Sequence, residues 1–414
     1  MKMLRFLVVA ALIAAPAARA DLIVDWNRVA NTALAADGPK VAGNPIAMAR
    51  TLAMMHIAMS DAIGACGPEF KPYLAPLPAA PGASAQAAAH AAAHDVLAAL
   101  HPAQARTVDE HYAAAIAALP DDGARAAGIA LGRQAARSML ARREGDGTFD
   151  DTDTYRPVTA PGAYVPTGLP VVSNVAVRKP FALDSVSRFR PGPPPSLQGA
   201  LWARDFNESK AWGGTTSTQR SAGQAETARF WQQLGTPAWN QAARSLAASR
   251  PLPLAQDARL FALLNAAMFD AYLAVFDAKY HYQFWRPITA IRNGDLDGND
   301  ATVRDAAWRP LIDTPPHPEY PCAHCAADGA AGVILRSVFG SGELAPFTIT
   351  YGAMPGVART YRSPQQMQDE IFGARIWGGV HFRTSNEVGE ALGTRVGDYV
   401  LRTALTPVAV TPPE

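Results

Sequence analysis

Cysteine is scarce in this chain: there are 3 in 414 residues, at Cys66, Cys322 and Cys325. That is too few for a disulfide-stapled scaffold, so packing has to hold the fold. Net charge is missing too. The 37 Lys and Arg are balanced by 36 Asp and Glu, and a near-neutral balance argues against nucleic acid as a partner. No stretch alternates apolar and polar residues long enough for a strand-built domain, and no internal repeat is visible. Past the first twenty residues, no apolar run reaches the roughly twenty needed to cross a bilayer. The best candidate, Leu260 to Val275, is interrupted by Asn265 and Asp270 and reads as a buried helix.

The chain opens with a basic start (Lys2, Arg5), an apolar run from Phe6 to Ala15, and the small-x-small site Ala18-Arg19-Ala20. This is the pattern of a secretory signal peptide. The expected mature chain starts at Asp21, has 394 residues and carries 34 basic against 36 acidic groups, a net charge of −2. The expected destination is secretion or a bacterial periplasm, with no membrane span left in the mature chain. In that oxidising setting one cysteine pair has the chance to bond, Cys66 with one of the other two included.

What the sequence does have is helical spacing almost throughout. It predicts helices over Ile46–Ala62, Ser84–Leu100, Val108–Leu119 and Ala124–Arg143, rich in alanine and suited to close packing. From Gly145 to Pro195 the composition turns to Pro, Gly, Thr and Asp, a long irregular connection. Helices are expected again at Gln224–Gln233, Trp239–Ala248, Leu254–Trp285, Ala326–Phe339, Gln365–Ile376 and Asn386–Leu405. The expected fold is all-α: two packed helical bundles, with an N-terminal helical region over 21–190 and a second helical domain over 191–414.

Three short motifs stand in that second half. Lys279 precedes Arg286-Pro287 by seven residues, about two helical turns, so both cations share a face. Pro287 disfavours the α conformation at Arg286, so the helix is expected to end there. Pro321-Cys322-Ala323-His324 precedes a helix, whose unpaired N–H groups and positive dipole end attract anions. Arg375 stands six residues before His381, with Gly378-Gly379 between them to break the helix. Taken singly, each has an ordinary explanation: a solvated helix face, a capping turn, a terminating loop. Together they supply three permanent cations and two imidazoles, the set needed to hold an oxyanion and do chemistry on it.

In this order and spacing the motifs resemble the superfamily that joins vanadium-dependent haloperoxidases, type 2 phosphatidic acid phosphatases and bacterial acid phosphatases. The family pattern is Lys-x6-Arg-Pro, Pro-Ser-Gly-His and Ser-Arg-x5-His. The flanks Glu319-Tyr320-Pro321 and Gly379-Val380-His381-Phe382-Arg383 resemble the secreted haloperoxidase-type branch. The chain departs from the pattern at Cys322, Ala323 and Ala374, which replace serine, glycine and serine. It also departs at Ser385, where an aspartate often orients the last histidine; Ser385 or nearby Glu387 is expected to take that part.

The resemblance implies vanadate bound to His381 and held by Lys279, Arg286, Arg375 and the Cys322–Ala323 segment. It implies His324 as proton shuttle, Lys279 polarising peroxide, and His317 as a halide-site candidate. Substrates would be hydrogen peroxide and halide. The alternative is a secreted acid phosphatase hydrolysing phosphomonoesters through a phosphohistidine at His381 in the same pocket, with His324 protonating the leaving alcohol. The helical half ahead of the motifs and His317 favour the haloperoxidase. Other signals are weaker: Cys322-x-x-Cys325 as a redox pair, His90 and His94 one turn apart as metal ligands, and Asp295 to Asp300 as a calcium loop with its glycine misplaced.

Overall fold

The computed structural model describes residues 21–147, 152–232 and 235–408. The expected signal peptide and Gln233 lie outside these residues. The chain builds α1 (Leu22–Ala36), α2 (Gly38–Val41), α3 (Pro45–Cys66), α4 (Ala85–Leu100), α5 (Ala105–Ala117) and α6 (Gly123–Arg142). After an irregular stretch come α7 (Ala200–Gly213), α8 (Ala222–Phe230), α9 (Gly235–Ser249), α10 (Leu254–Tyr282), α11 (Pro287–Arg292) and α12 (Ala323–Phe339). Two short strands, β1 (Phe347–Thr350) and β2 (Ala358–Tyr361), precede α13 (Pro364–Trp377) and α14 (Arg383–Thr403). The fold is all-α in class. The strands, which the sequence pattern did not predict, form one antiparallel pair with Phe347 opposite Tyr361. Four residues each are too few for alternation to stand out.

The helix α10 is the axis of the molecule. It packs against α3 on one side and against α12 and α14 on the other. A single apolar cluster runs from Ile23 in α1 to Leu405 after α14, so both halves share one core. Among the described residues, α10 is the one helix long and apolar enough to cross a membrane, and 94% of that stretch is buried inside the protein. It ends at Tyr282, earlier than Pro287 alone implied. Gln283 takes a left-handed conformation (φ 48°) and its N–H returns to the Lys279 carbonyl at 2.8 Å. That closes the helix before proline is reached.

The irregular connection is pinned by buried charge. Asp270, within α10, accepts the N–H groups of Phe181, Ala182 and Leu183 at 2.6, 2.8 and 3.0 Å. Arg143 donates to the carbonyls of Lys179 and Pro180 at 2.6 and 2.9 Å. These bonds serve backbone groups that have no helix or sheet to satisfy them.

The approach of α14 to α12 depends on glycine. A Cβ on Gly393 would lie 1.8 Å from the Ala326 carbonyl oxygen, and one on Gly389 would lie 2.5 Å from that of Cys322. Backbone-to-backbone contact at this depth fixes the start of α12 against the first half of α14.

Candidate active site

The three motifs meet where several elements end. Lys279 is in the last turn of α10. Arg286 is the residue before α11, held extended (φ −80°, ψ 157°) by the proline that follows. Cys322 caps α12, its Sγ accepting the Cys325 N–H at 3.3 Å. Arg375 is in the last turn of α13. His381 lies in the link to α14, after Gly379 turns the chain with φ 73°. A Cβ there would sit 2.4 Å from the Gly213 carbonyl oxygen, so this turn needs glycine on both conformational and packing grounds.

All three cations are buried, and each is held by backbone carbonyls. Lys279 Nζ donates to Pro318 O and Glu319 O at 2.9 and 2.8 Å. Arg286 donates from Nε to His317 O at 2.9 Å and from Nη1 to Val380 O at 2.8 Å. Arg375 Nη1 donates to Trp231 O at 2.9 Å, and its buried Nε has no partner. Among the described residues none of the three meets a carboxylate within ion-pair distance. Burial, and then the neighbouring Arg286 guanidinium, drive Lys279 well below the ordinary lysine range. Burial also lowers both arginines, Arg286 to about 10.

His381 is held at both nitrogens. Its Nδ1 donates to Glu319 Oε1 at 2.7 Å, and that oxygen also accepts the Phe382 N–H at 3.0 Å. The lone pair is therefore on Nε2, which Arg286 Nη1 approaches at 3.3 Å. Burial, with the charges of Arg286, Lys279 and Arg375, keeps the ring neutral. Glu319 is fully buried, and burial raises its carboxyl to about 7 against the pull of Lys279 and Arg286. It is thus Glu319 that orients His381, in place of the expected Ser385 or Glu387. Ser385 Oγ donates to the Glu319 carbonyl at 3.4 Å. The Glu387 side chain is half-exposed, 3.9 Å from Arg204. Glu319 lies sixty-two residues upstream in sequence, so local spacing around His381 could not reveal it; the only signal was its place in the Glu-Tyr-Pro flank.

His317, His324, Ala323 and His381 all line one cavity of about 460 Å³. Arg286 Nη2 donates to His317 Nδ1 at 2.9 Å, and burial and that guanidinium hold the His317 ring neutral. The first half of the chain contributes to the wall through Asn44, Pro45 and Ile46, and the irregular connection through Val171 and Val172. Val172 has φ 61°, a rare conformation for a β-branched residue, at the cavity wall. Phe276 and Tyr272 of α10 complete the apolar side.

The remaining signals resolve locally. All three cysteines are free thiols. Burial raises the Cys322 thiol, but the Cys325 hydrogen bonds and the Arg375 and Lys279 charges outweigh it and lower it overall. His90 Nδ1 accepts from Trp26 Nε1 at 2.8 Å, and His94 lies between Asp95 and Asp109, both at 2.8 Å. Asp297 accepts from Trp202 Nε1 at 2.7 Å and from the Thr302 hydroxyl, ordering its own loop.

Three buried cations, none of them in ion-pair contact with a carboxylate among the described residues, lie with a neutral imidazole and a helix N-terminus in an arrangement suited to an oxyanion. The comparisons agree on the class. Residues 259–409 match the family described as the VCPO second helical-bundle domain. The vanadium chloroperoxidase of Curvularia inaequalis is 25% identical over 397 residues, covering 76% of this chain and 64% of that protein. The chain thus spans less than two thirds of that relative's length. A bacterial vanadium-dependent iodoperoxidase superposes with a TM-score of 0.75 at 24% identity, over 92% of this chain and 96% of that one. A holo-type bacterial vanadium-dependent chloroperoxidase gives 0.71 at 18% identity, over 89% and 92%. At these identities the two structures establish the fold alone. By fold along its length and by the sequence of residues 259–409, the chain resembles the vanadium-dependent haloperoxidases.

Proposed function

We propose that this chain is a vanadate-dependent haloperoxidase that oxidises halide with hydrogen peroxide. One observation carries the reading: three buried cations, with no carboxylate in ion-pair contact among the described residues, surround a neutral His381 whose Nε2 lone pair is unprotonated. Buried charges of one sign need a counter-charge. The donor set suits vanadate. The Arg375 Nε is buried without a partner, the remaining N–H groups of Lys279 and Arg286 add charge, and the α12 terminus adds backbone donors. When bound, vanadate supplies a Lewis acid that activates peroxide toward halide.

The residues divide the remaining work. His381 offers Nε2 as the ligand atom, and Glu319 fixes that tautomer. Lys279, Arg286 and Arg375 neutralise the oxyanion. His324, on the cavity wall, takes and returns the peroxide proton. His317 is the candidate halide neighbour. Residues 191–414 carry this machinery, while 21–190 add cavity wall. The same donors suit a phosphoryl group, so phosphomonoester hydrolysis is the rival activity. The test is apo-protein assayed with and without vanadate, for iodide- or bromide-dependent halogenation with peroxide and for aryl-phosphate hydrolysis. Vanadate-dependent halogenation is the expected result. Hydrolysis without vanadate, inhibited when vanadate is added, would establish the phosphatase instead.

A further inference from the structure

Two thiols stand together at the start of α12, and the reaction proposed at His381 makes no use of their pairing. Cys322 is the N-cap of α12, and Cys325 is the third residue of that helix. Both are free thiols and both are buried, 0% and 2% exposed. The Cys322 Sγ already faces Cys325, accepting its N–H at 3.3 Å. Residues three apart on a helix have Cβ atoms about 5–6 Å apart, and a disulfide holds them about 3.5–4.5 Å apart. Closing the first turn of α12 by about 1–2 Å therefore joins the two sulfurs. The chain is clamped on both sides of that gap. The Cys322 N–H donates to the Ser385 carbonyl at 3.0 Å, and Gly389 lets α14 rest on the Cys322 carbonyl. Gly393 does the same at Ala326. The movement is left to Ala323, His324 and Cys325, and of these Ala323 and His324 line the cavity. Cys66 lies apart on α3, where its Sγ donates to the Ala62 carbonyl at 3.6 Å.

We propose that Cys322 and Cys325 are a redox-active pair, oxidised by hydrogen peroxide to a disulfide that reshapes the wall of the oxyanion cavity. The two sulfurs have different parts. Burial opposes ionisation of both. At Cys322 the hydrogen bonds from Cys325 and the charges of Arg375 and Lys279 outweigh burial and favour the thiolate. At Cys325 burial and the Cys322 sulfur keep the proton in place. The Cys322 thiolate attacks one peroxide oxygen, and the O–O bond breaks. Cys322 becomes a sulfenic acid, and the departing hydroxide takes up a proton as water. The Cys325 sulfur then attacks the Cys322 sulfur. The S–O bond breaks, and the hydroxyl leaves as water with the Cys325 proton. One peroxide thus takes two electrons and two hydrogens from the pair and yields two waters. A thiol reductant reverses the bond by exchange. Peroxide that reaches Ala323 and His324 in the cavity is one residue along the chain from each cysteine. The step needs no vanadate. Only its effect on anion binding rests on the oxyanion reading of the site.

The purified protein is reduced, desalted and treated with hydrogen peroxide in the absence of vanadate and halide. Thiols are counted after denaturation, and the peptides are mapped by mass. The count is expected to fall from three to one. The peptide holding Cys322 and Cys325 should be lighter by two hydrogens, and dithiothreitol should restore all three thiols. Sulfate affinity, read by calorimetry, should be about 10- to 100-fold weaker in the oxidised protein and return on reduction. Three thiols surviving peroxide overturn the proposal, as does a bridge to Cys66 or an oxidation of Cys322 that dithiothreitol does not reverse. A disulfide that forms and leaves sulfate affinity unchanged overturns the coupling to the cavity. A reduced protein that binds no sulfate ends the oxyanion reading and the coupling with it, and the thiol count then decides the pair by itself. All of these readouts use the unaltered chain, so none depends on a variant that folds.

Discussion

Replacing Gly393 by alanine should damage both the fold and the oxyanion site. The added Cβ would sit 1.8 Å from the Ala326 carbonyl oxygen, about 1.5 Å inside ordinary contact. The clash is with partner backbone, so no side chain can swing away. Overpacking costs up to about 3 kcal/mol, and the better helix propensity of alanine returns about 1 kcal/mol. The net loss is about 2 kcal/mol, seen in a chain of this length as a Tm drop of about 2–3 °C. Gly64, near the end of α3, is the control. A Cβ there meets nothing within 4 Å, so Gly64→Ala should be neutral or stabilise by up to about 1 kcal/mol. Because α14 seats the start of α12, Gly393→Ala should also weaken sulfate or vanadate binding by about 10- to 100-fold. Thermal unfolding and titration calorimetry read the two effects. A Gly393→Ala protein as stable as Gly64→Ala would refute the claim that these helices touch through backbone.

Three further outcomes are expected. Glu319→Gln keeps an acceptor for His381 Nδ1 but removes the charge, and should lower oxyanion affinity or turnover by about 10- to 100-fold; unchanged kinetics in both assays would remove Glu319 from its orienting role. His324→Ala should leave anion affinity intact while turnover falls by about 10²- to 10⁴-fold, and full activity would end its assignment as proton shuttle. Sulfate binding should take up protons: burial lowers Lys279, His317 and His381, and an anion raises them again. An anion also pushes Glu319 further up from about 7. All four shifts have the same sign, so sulfate Kd should rise as pH increases through about 7. Calorimetry in buffers of different ionisation enthalpy would show proton release if this is wrong.

Much of the helical order was legible because it depends on short-range periodicity. Ser84–Leu100 and Ala326–Phe339 differ from the observed α4 and α12 by only a few residues at their starts. Others were missed: α11 is only six residues long, α7 buries Asp205 and Ser209 among its apolar residues, and α1 was overlooked although Ile23, Trp26, Ala30 and Leu34 lie along one face. The end of α10 was misplaced because Pro287 is an obvious stop, whereas the left-handed Gln283 that closes the helix carries no such mark.

By itself the sequence determined the all-α class and offered the inventory of the candidate site, Lys279, Arg286, Cys322, Ala323, His324, Arg375 and His381. Those rest on side-chain identity and on spacing along the chain. It did not determine which carboxylate reaches His381, because Glu319 comes to it across 62 positions. Nor did it show that the three cations are each held by backbone carbonyls. Chain folding decided these, since a hydrogen bond depends on position in space.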